Sequence, residues 1–164
     1  MPRTVYLIIF NSPLFPAHWV LFIPHTDNPS LGKYLNATGD AANGFTVEFE
    51  RNYELGADGR RFQKVELGHV AEEHVIDVKG DGKWSVDCEA KDGFEEVVKS
   101  VVPPGKSLAG VDEEGGGGNG EGAKRKRKGI RNCQTWVRDV VIALVGAGVM
   151  DEEAVGIVDG VPKN

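Results

Sequence analysis

The chain has 164 residues, of which 40% are hydrophobic, and its formal net charge is −6. This length supports one compact domain with a sizeable core and is too short for two, so we predict a single domain over residues 1–164. The negative charge argues against general binding to nucleic acid or to an anionic membrane, because phosphate groups are held by positive surfaces. No window of the sequence approaches the ~20 consecutive apolar residues that a membrane span needs.

Apolar runs bounded by turn residues predict three strands before residue 40. Runs rich in β-branched and aromatic side chains are typical of buried strands. They cover Thr4–Phe10, Trp19–Ile23 and Tyr34–Thr38. Asn, Pro, Ser and Gly in the segment 27–32 predict the turn between the second and third strands.

The next part of the chain alternates between apolar and polar residues, which indicates a strand with one buried face. This strand covers Phe45–Glu50, and its buried face consists of Phe45, Val47 and Phe49. We expect Arg61–Leu67 to pair with it across a turn at 56–59. Weaker patterns indicate short strands at 75–78 and 84–86.

Helical patterns are confined to the second half of the chain. One predicted helix is capped by Asp92, ends before Pro103-Pro104, and has an apolar face made of Phe94, Val97, Val98 and Val101. The most regular helix covers Asn132–Val145, and a short last helix over Asp151–Val158 is capped by Asp151. These elements predict an α+β fold, in which a small antiparallel sheet or half-barrel packs against C-terminal helices.

Residues 108–130 form a low-complexity insertion. Four consecutive glycines at 115–118 are preceded by acidic residues and followed by the basic run Lys124–Lys128. This composition cannot bury enough apolar surface to fold, so we predict a disordered insertion or a mobile flap. We interpret the basic run first as a solvated charge block, next as a nuclear localisation element, and last as a site that steers an anionic substrate.

The two cysteines, Cys88 and Cys133, do not make a disulfide framework. We therefore expect a reduced, cytoplasmic environment, with the nucleus as the alternative that Lys124–Lys128 offers. His69 and His74 flank two glutamates, but their spacing matches no tight metal-ligand motif. The sequence predicts no metal site and no organic cofactor.

Cys133 follows Asn132, a residue type that caps helices, and so belongs to the first turn of its helix. There, free backbone N–H groups and the positive helix end favour a thiolate and can hold an oxyanion. The structural alternative is a small buried apolar residue, because Cys133 also lies on the core stripe of its helix.

Two upstream residues could complete a catalytic arrangement with Cys133. His18 begins an apolar strand beside Trp19, where a histidine either acts as a base or is satisfied by a structural partner. Asn36 lies inside an apolar strand, where its amide prefers a partner, and a hydrogen bond to the imidazole would fix the ring tautomer. Its structural alternative is an asparagine satisfied by backbone.

The segments Ala17-His18-Trp19-Val20-Leu21-Phe22 and Asn132-Cys133-Gln134-Thr135-Trp136 resemble elements of the circularly permuted branch of the papain-like superfamily. This branch includes the lecithin:retinol acyltransferase-like enzymes, which carry a similar His-Trp pair and an Asn-Cys-Glu-His segment, and the PPPDE isopeptidases. The resemblance implies Cys133 as nucleophile and His18 as base. Asn36 falls at the third position, where those acyltransferases have a second histidine. The whole chain also resembles fungal proteins that share its His-Trp, Thr-Gly-Asp and Asn-Cys-Gln-Thr-Trp elements, a likeness that supplies no activity.

The leading hypothesis is therefore thiol-dependent acyl transfer, or amide or ester hydrolysis, with a Cys-His-Asn arrangement. Trp19, Gln134 and Trp136 would bind a small-molecule acyl compound or a peptide, and the insertion could cover the cleft. The alternative is a catalytically inactive papain-like module that uses the same groove for a peptide or protein partner. The sequence does not specify an oligomeric state.

Overall fold

A computed structural model describes residues 1–14, 16–40, 43–104 and 132–163. The predicted insertion at 108–130, with its basic run, lies outside these residues. Within the described part, six strands form one open antiparallel sheet with the order β5-β1-β2-β3-β4-β6. The strands are β1 Arg3–Phe10, β2 His18–Pro24, β3 Leu31–Asp40, β4 Gly44–Glu54, β5 Gln63–Val70 and β6 Ser85–Asp87.

The helices follow the sheet in sequence and pack on one of its faces. They are α1 Gly93–Ser100, α2 Cys133–Gly146 and α3 Glu153–Gly160, and a short 3-10 turn covers Glu72–His74. The predicted α+β class, with an antiparallel sheet and C-terminal helices, is confirmed. The sheet is open and is not a half-barrel.

The strands bury apolar side chains on both faces, which separates the core into two layers. In β2, Trp19, Leu21 and Ile23 contribute to the large core shared with the helices. The alternate residues Val20 and Phe22 join a smaller cluster on the other face, called here the outer face. Its buried members are Ile8, Phe10, Val20, Phe22 and Tyr34.

The predicted pairing of the fifth strand was wrong. β5 pairs with β1, with Leu7 opposite Val65, and not with β4. The physical reason is that β1 is buried on both faces over most of its length, so it needs a neighbour on each side. β4 carries a half-polar pattern instead and pairs with β3 and the short strand β6.

Two further local predictions were wrong. Residues 75–78 form no strand, because the Ile76 N–H donates to the Asp92 side chain at 2.9 Å and not to a neighbouring strand. Asp151 does not cap α3, which begins at Glu153 without a side-chain cap. Asp151 contributes only its carbonyl oxygen, which accepts from the Ala154 N–H at 3.1 Å.

Candidate functional site

Cys133 begins α2, as predicted. The Asn132 side-chain oxygen accepts from the backbone N–H groups of Gln134 at 3.0 Å and Thr135 at 3.2 Å, so the predicted cap is confirmed. The Cys133 side chain is buried, with its sulfur 3.9 Å from the carbonyl oxygen of Ala17. Burial raises the pKa of the Cys133 thiol, although the backbone N–H groups of Trp19 and Gln134 act in the opposite direction. The environment therefore favours the neutral thiol.

His18 points away from Cys133. Its imidazole stacks on the Phe10 ring, with the ring centroids 6.3 Å apart, and Phe10 belongs to the outer-face cluster. α2 packs on the opposite face of the sheet, against the layer that contains Trp19. Burial lowers the pKa of His18, and the positive charge of Arg60 lowers it further. Among the described contacts, none joins the Cys133 thiol to the His18 imidazole, whose ring belongs with the outer-face cluster.

Asn36 has no described contact with the imidazole either. Its neighbours Leu35 and Ala37 face the helices, so Asn36 points to the outer face with Tyr34. Its Oδ1 is buried without a hydrogen-bond partner among the described residues. Asn36 thus shares a face with His18, but the hydrogen bond predicted between them is absent from the described contacts.

The two predicted substrate-binding residues on α2 make structural hydrogen bonds. Gln134 is buried, and its Nε2 donates to the carbonyl oxygens of Ala17 and Lys163, both at 2.8 Å. Trp136 donates its indole N–H to the carbonyl oxygen of Val101 at 3.2 Å. Gln134 therefore ties the start of β2 and the C-terminal segment to α2, and Trp136 ties α2 to the end of α1.

A cavity of about 260 Å³ opens beside the first turn of α2 and the end of α3. We call it the α2 cavity. It contains two of the predicted substrate-binding residues, Trp19 and Gln134, but not Trp136. Its lining consists of Trp19, Asn132, Gln134, Thr135, Arg138, Val158, Asp159 and Lys163.

Trp19, one of the lining residues, contains a buried donor without a partner in the described part of the chain. Trp19 is 1% exposed, and its indole Nε1 has no acceptor among the described residues. The other two tryptophans are paired, since Trp84 donates to Glu50 at 2.9 Å and Trp136 to Val101. A buried donor without an acceptor costs about 1–3 kcal/mol.

The charges around the α2 cavity leave a positive excess. The Arg138 guanidinium donates to both carboxylate oxygens of Asp159, at 2.6 and 3.3 Å, so these two charges compensate each other. Lys163 adds a further positive charge that has no ion-pair partner among the described residues. The N-terminal end of α2 adds the partial positive charge of the helix dipole.

Six of the eight lining residues were not predicted as site residues, among them Thr135, Arg138 and Lys163. A signal for two of them exists, because Asn132, Thr135 and Arg138 are three residues apart and share one side of α2. Nothing in the sequence indicates that Lys163 lies beside them, since Gln134 brings the C-terminal segment to α2 through tertiary contacts.

Other polar clusters in the described structure serve the fold. Lys33 contacts both Asp92 and Glu95 of the α1 region, and Glu95 also accepts from Arg51. These buried ion pairs connect α1 to β3 and β4. A second cavity, of about 360 Å³, lies beside Tyr53 and Trp84 and contains none of the predicted site residues.

No group of three or more potential metal ligands occurs among the described residues. His69 and His74 belong to no such group. Each contacts one exposed carboxylate, that of Glu66 and that of Glu73 respectively. Among the same residues, none of the helices combines the length and apolar character needed to cross a membrane. Both cysteines are free thiols, with Cys88 exposed and Cys133 buried.

The fold and the site define an α+β protein with an open antiparallel sheet, helices on one face, and a small cavity with polar walls at the start of α2. Residues 5–151 match a family described as a family of unknown function (DUF6540), and the chain belongs to that family. No curated protein and no solved structure matches the chain.

Proposed function

We propose that this protein is a non-catalytic binding module whose ligand occupies the α2 cavity. The observation that carries the proposal is the composition of the lining, which includes neither Cys133 nor His18. A ligand in the cavity would meet hydrogen-bond donors and charges, but no thiol and no imidazole. This is the chemistry of recognition and not of acyl transfer.

The state of Cys133 also supports binding over catalysis. A catalytic thiol needs a thiolate and a nearby base. Burial raises the pKa of Cys133, and the imidazole of His18 lies on the other face of the sheet. Thiol-dependent acyl transfer is therefore the weaker hypothesis. The permuted papain-like architecture and the cytoplasmic or nuclear location remain predictions.

Alkylation by iodoacetamide as a function of pH tests the proposal. The variant Cys88→Ser leaves Cys133 as the single thiol, and Cys133→Ser leaves the exposed Cys88 as the matched control. We expect Cys133 to react much more slowly than Cys88, because its thiol is buried and burial raises its pKa. Adding His18→Ala to Cys88→Ser should leave the rate unchanged. In denaturant, both thiols should react equally.

The opposite result would restore the hydrolase or acyltransferase hypothesis. It consists of rapid alkylation of Cys133, with a midpoint pH below that of Cys88, and a loss of this reactivity in His18→Ala. Such a profile requires a thiolate stabilised by the imidazole, which the proposed function does not allow.

A further inference from the structure

We infer that the second cavity, of about 360 Å³ beside Tyr53 and Trp84, binds a methylated ammonium group. We call it the β4 cavity, because residues at the end of β4 form part of its wall. The inference goes beyond the proposed function, since the α2 cavity and the β4 cavity share no lining residue. Three features support it: two aromatic side chains in the wall, a negative charge that is not compensated, and polar groups that are mostly in use.

The two aromatic side chains of the β4 cavity are held in place by other residues. Trp84 donates its indole N–H to Glu50 at 2.9 Å, yet the residue is 60% exposed, so most of its ring stays open to solvent. Tyr53 stacks on Tyr34, with the ring centroids 4.2 Å apart and the planes 29° from parallel. Because these contacts already fix both rings, a ligand that packs on them loses little affinity to the ordering of side chains.

Neither of these rings has a cation from the chain over its face in the described structure. A ring face attracts a cation within about 6 Å of its centroid. Among the described residues, three other rings already have such a partner, in the pairs Lys64–Tyr6, Arg60–Phe10 and Arg51–Phe49. The rings of Tyr53 and Trp84 can therefore take up a cation from outside the chain.

The charge of the wall favours a positive ligand. The lining of the β4 cavity contains two carboxylates, those of Glu54 and Asp58, and no cationic side chain. Asp58 is paired with Arg60, whereas Glu54 has no ion-pair partner among the described residues. Glu50 brings a further carboxylate to the indole of Trp84. The wall therefore has a negative excess beside its two rings.

Two cationic side chains lie near the β4 cavity without occupying it. Arg60, the partner of Asp58, reaches Tyr53 only at the hydroxyl oxygen, to which it donates at 3.5 Å. Lys83 precedes Trp84 in the chain but does not belong to the lining. Neither residue is in a described contact with Glu54, so the charge of Glu54 is left for a ligand.

Most polar groups of the wall are already in use, which favours a cation that needs no hydrogen bonds. The Asn52 Oδ1 lies 3.0 Å from His25 Nε2, and its Nδ2 donates to two backbone carbonyl oxygens at 2.8 and 2.9 Å. Asp58 accepts from the backbone N–H and the guanidinium of Arg60. A primary ammonium or a guanidinium brings several N–H donors that need acceptors. A fully methylated ammonium brings none and is held by ring faces and by negative charge.

Titration with tetramethylammonium chloride, followed in proton–nitrogen correlation spectra of the full chain, tests the inference. The indole signal of Trp84 should move in a saturable manner, while the signals of Trp19 and Trp136, both 1% exposed, should stay in place. Sodium chloride at the same ionic strength should not reproduce the shift, and neither should tert-butanol, a neutral molecule of similar size. Trp84→Phe identifies the signal by removing it.

Two exposed lining residues allow variants that leave the core intact. Trp84→Leu should weaken tetramethylammonium binding about two- to fivefold, the effect of one exposed cation–π contact. Glu54→Gln should weaken it about threefold, the effect of one exposed ion pair. The backbone amide signal of Gly82, which lines the cavity, reports binding in both variants. Glu73→Gln changes an exposed carboxylate outside the lining and should leave binding unchanged.

The source of the ammonium group follows from comparing tetramethylammonium with N-acetyl-trimethyllysine amide. Tighter binding of the trimethyllysine compound identifies a methylated lysine of a partner protein, and equal or weaker binding identifies a small free compound. The inference is overturned if the Trp84 signal does not move, if tert-butanol produces the same shift, or if N-acetyl-lysine amide binds as tightly as its trimethylated form. Unchanged binding in both Trp84→Leu and Glu54→Gln would also overturn it. None of these results bears on the proposed function, because that function concerns the α2 cavity and is tested by the alkylation of Cys133.

Discussion

The imidazole of His18, the first residue of β2, stacks on the ring of Phe10, with the two ring centroids 6.3 Å apart and the planes 23° from parallel. The Arg60 guanidinium lies over the same Phe10 ring, 4.2 Å from its centroid. His18 is therefore part of an aromatic and cationic cluster on the outer face. The residue before it, Ala17, contacts Cys133 through its backbone.

In this position His18 should have a pKa below ~6.5, the usual value for histidine. Burial is the larger cause of the lowered pKa, and the charge of Arg60 is the second. Arg60→Met should raise the pKa of His18 without restoring the usual value, whereas Arg61→Met, at an exposed neighbour, should not change it. Nuclear magnetic resonance of the imidazole Hε1 proton measures both.

The lowered pKa of His18 also determines the direction in which the free energy of unfolding changes with pH. Between the folded and unfolded pKa values the unfolded chain binds more protons. The contribution of neutral His18 is therefore present above pH ~6.5 and is lost as the pH falls through the pKa of the folded state. Replacing His18 by Phe should remove this part of the pH dependence. A His18 pKa at or above the usual value would contradict the assignment of His18 to the buried cluster.

The ion pair between Lys33 and Glu95 gives a prediction about stability. Lys33 Nζ donates to Glu95 Oε1 at 2.7 Å, and both side chains are buried. Glu95→Gln keeps the shape but leaves Lys33 and Arg51 with less negative charge nearby, so we expect a loss of about 3–5 kcal/mol in the free energy of unfolding. Glu96→Gln, at the exposed next residue, should change it by less than about 0.5 kcal/mol. Urea denaturation compares the two variants, and similar losses in both would contradict the role assigned to this pair.

The sequence correctly predicted those features that depend only on residues close together in the chain. Asn132 and Asp92 cap their helices as predicted, because each cap depends on a side chain and N–H groups two or three residues away. The face that contains Phe45, Val47 and Phe49 also follows from local alternation, and all three contribute to the main core.

The sequence could not show that His18 and Cys133 face opposite sides of the sheet. Alternation places His18 with Val20 and Phe22, and Trp19 with Leu21 and Ile23. Since Val20 and Phe22 are as apolar as the alternate set, nothing in β2 alone indicates which set meets the helices. The pairing of β5 also depends on distant parts of the chain, because it is decided by which strand needs a neighbour on both sides.

Asp77 predicts a loss of stability in acid. Burial opposes its ionisation, but hydrogen bonds from the Thr26 N–H at 3.0 Å and from Arg3 at 2.6 Å outweigh that effect and hold the pKa of Asp77 at about 2. Because this pKa is below the usual ~3.9, the contribution is present above that pH and is lost as the pH falls through about 2. Asp77→Asn should therefore be less stable than the wild type at pH 7, with a difference that narrows in this acid range.

The control for Asp77 is Asp81→Asn, which changes an exposed carboxylate of the following turn. Chemical denaturation between pH 7 and pH 2 should show a flatter profile for Asp77→Asn and an unchanged profile for Asp81→Asn. Parallel profiles for the wild type and Asp77→Asn would show that the contacts of Asp77 with Arg3 and Thr26 do not stabilise the fold.

Gln134 connects the α2 cavity to the stability of the domain. Its Nε2 donates to the carbonyl oxygens of Ala17 and Lys163, so Gln134→Glu places a carboxylate oxygen where two acceptors need a donor. We expect a loss of about 1–3 kcal/mol for each carbonyl group that stays buried and unpaired. Gln63→Glu, at an exposed position of β5, is the matched control.

The pH dependence of Gln134→Glu separates lost hydrogen bonds from lost packing. Two facing carbonyl oxygens and burial both disfavour the charged form, so the pKa of the introduced carboxyl group should rise on folding. A raised pKa favours the folded state at low pH, where the protonated group donates one hydrogen bond, and this contribution is lost as the pH rises through the folded pKa. The deficit in the free energy of unfolding should therefore be larger at pH 7 than at pH 4. Equal deficits at both pH values would indicate that Gln134 acts through packing alone, and that its two hydrogen bonds do not hold the C-terminal segment beside the cavity.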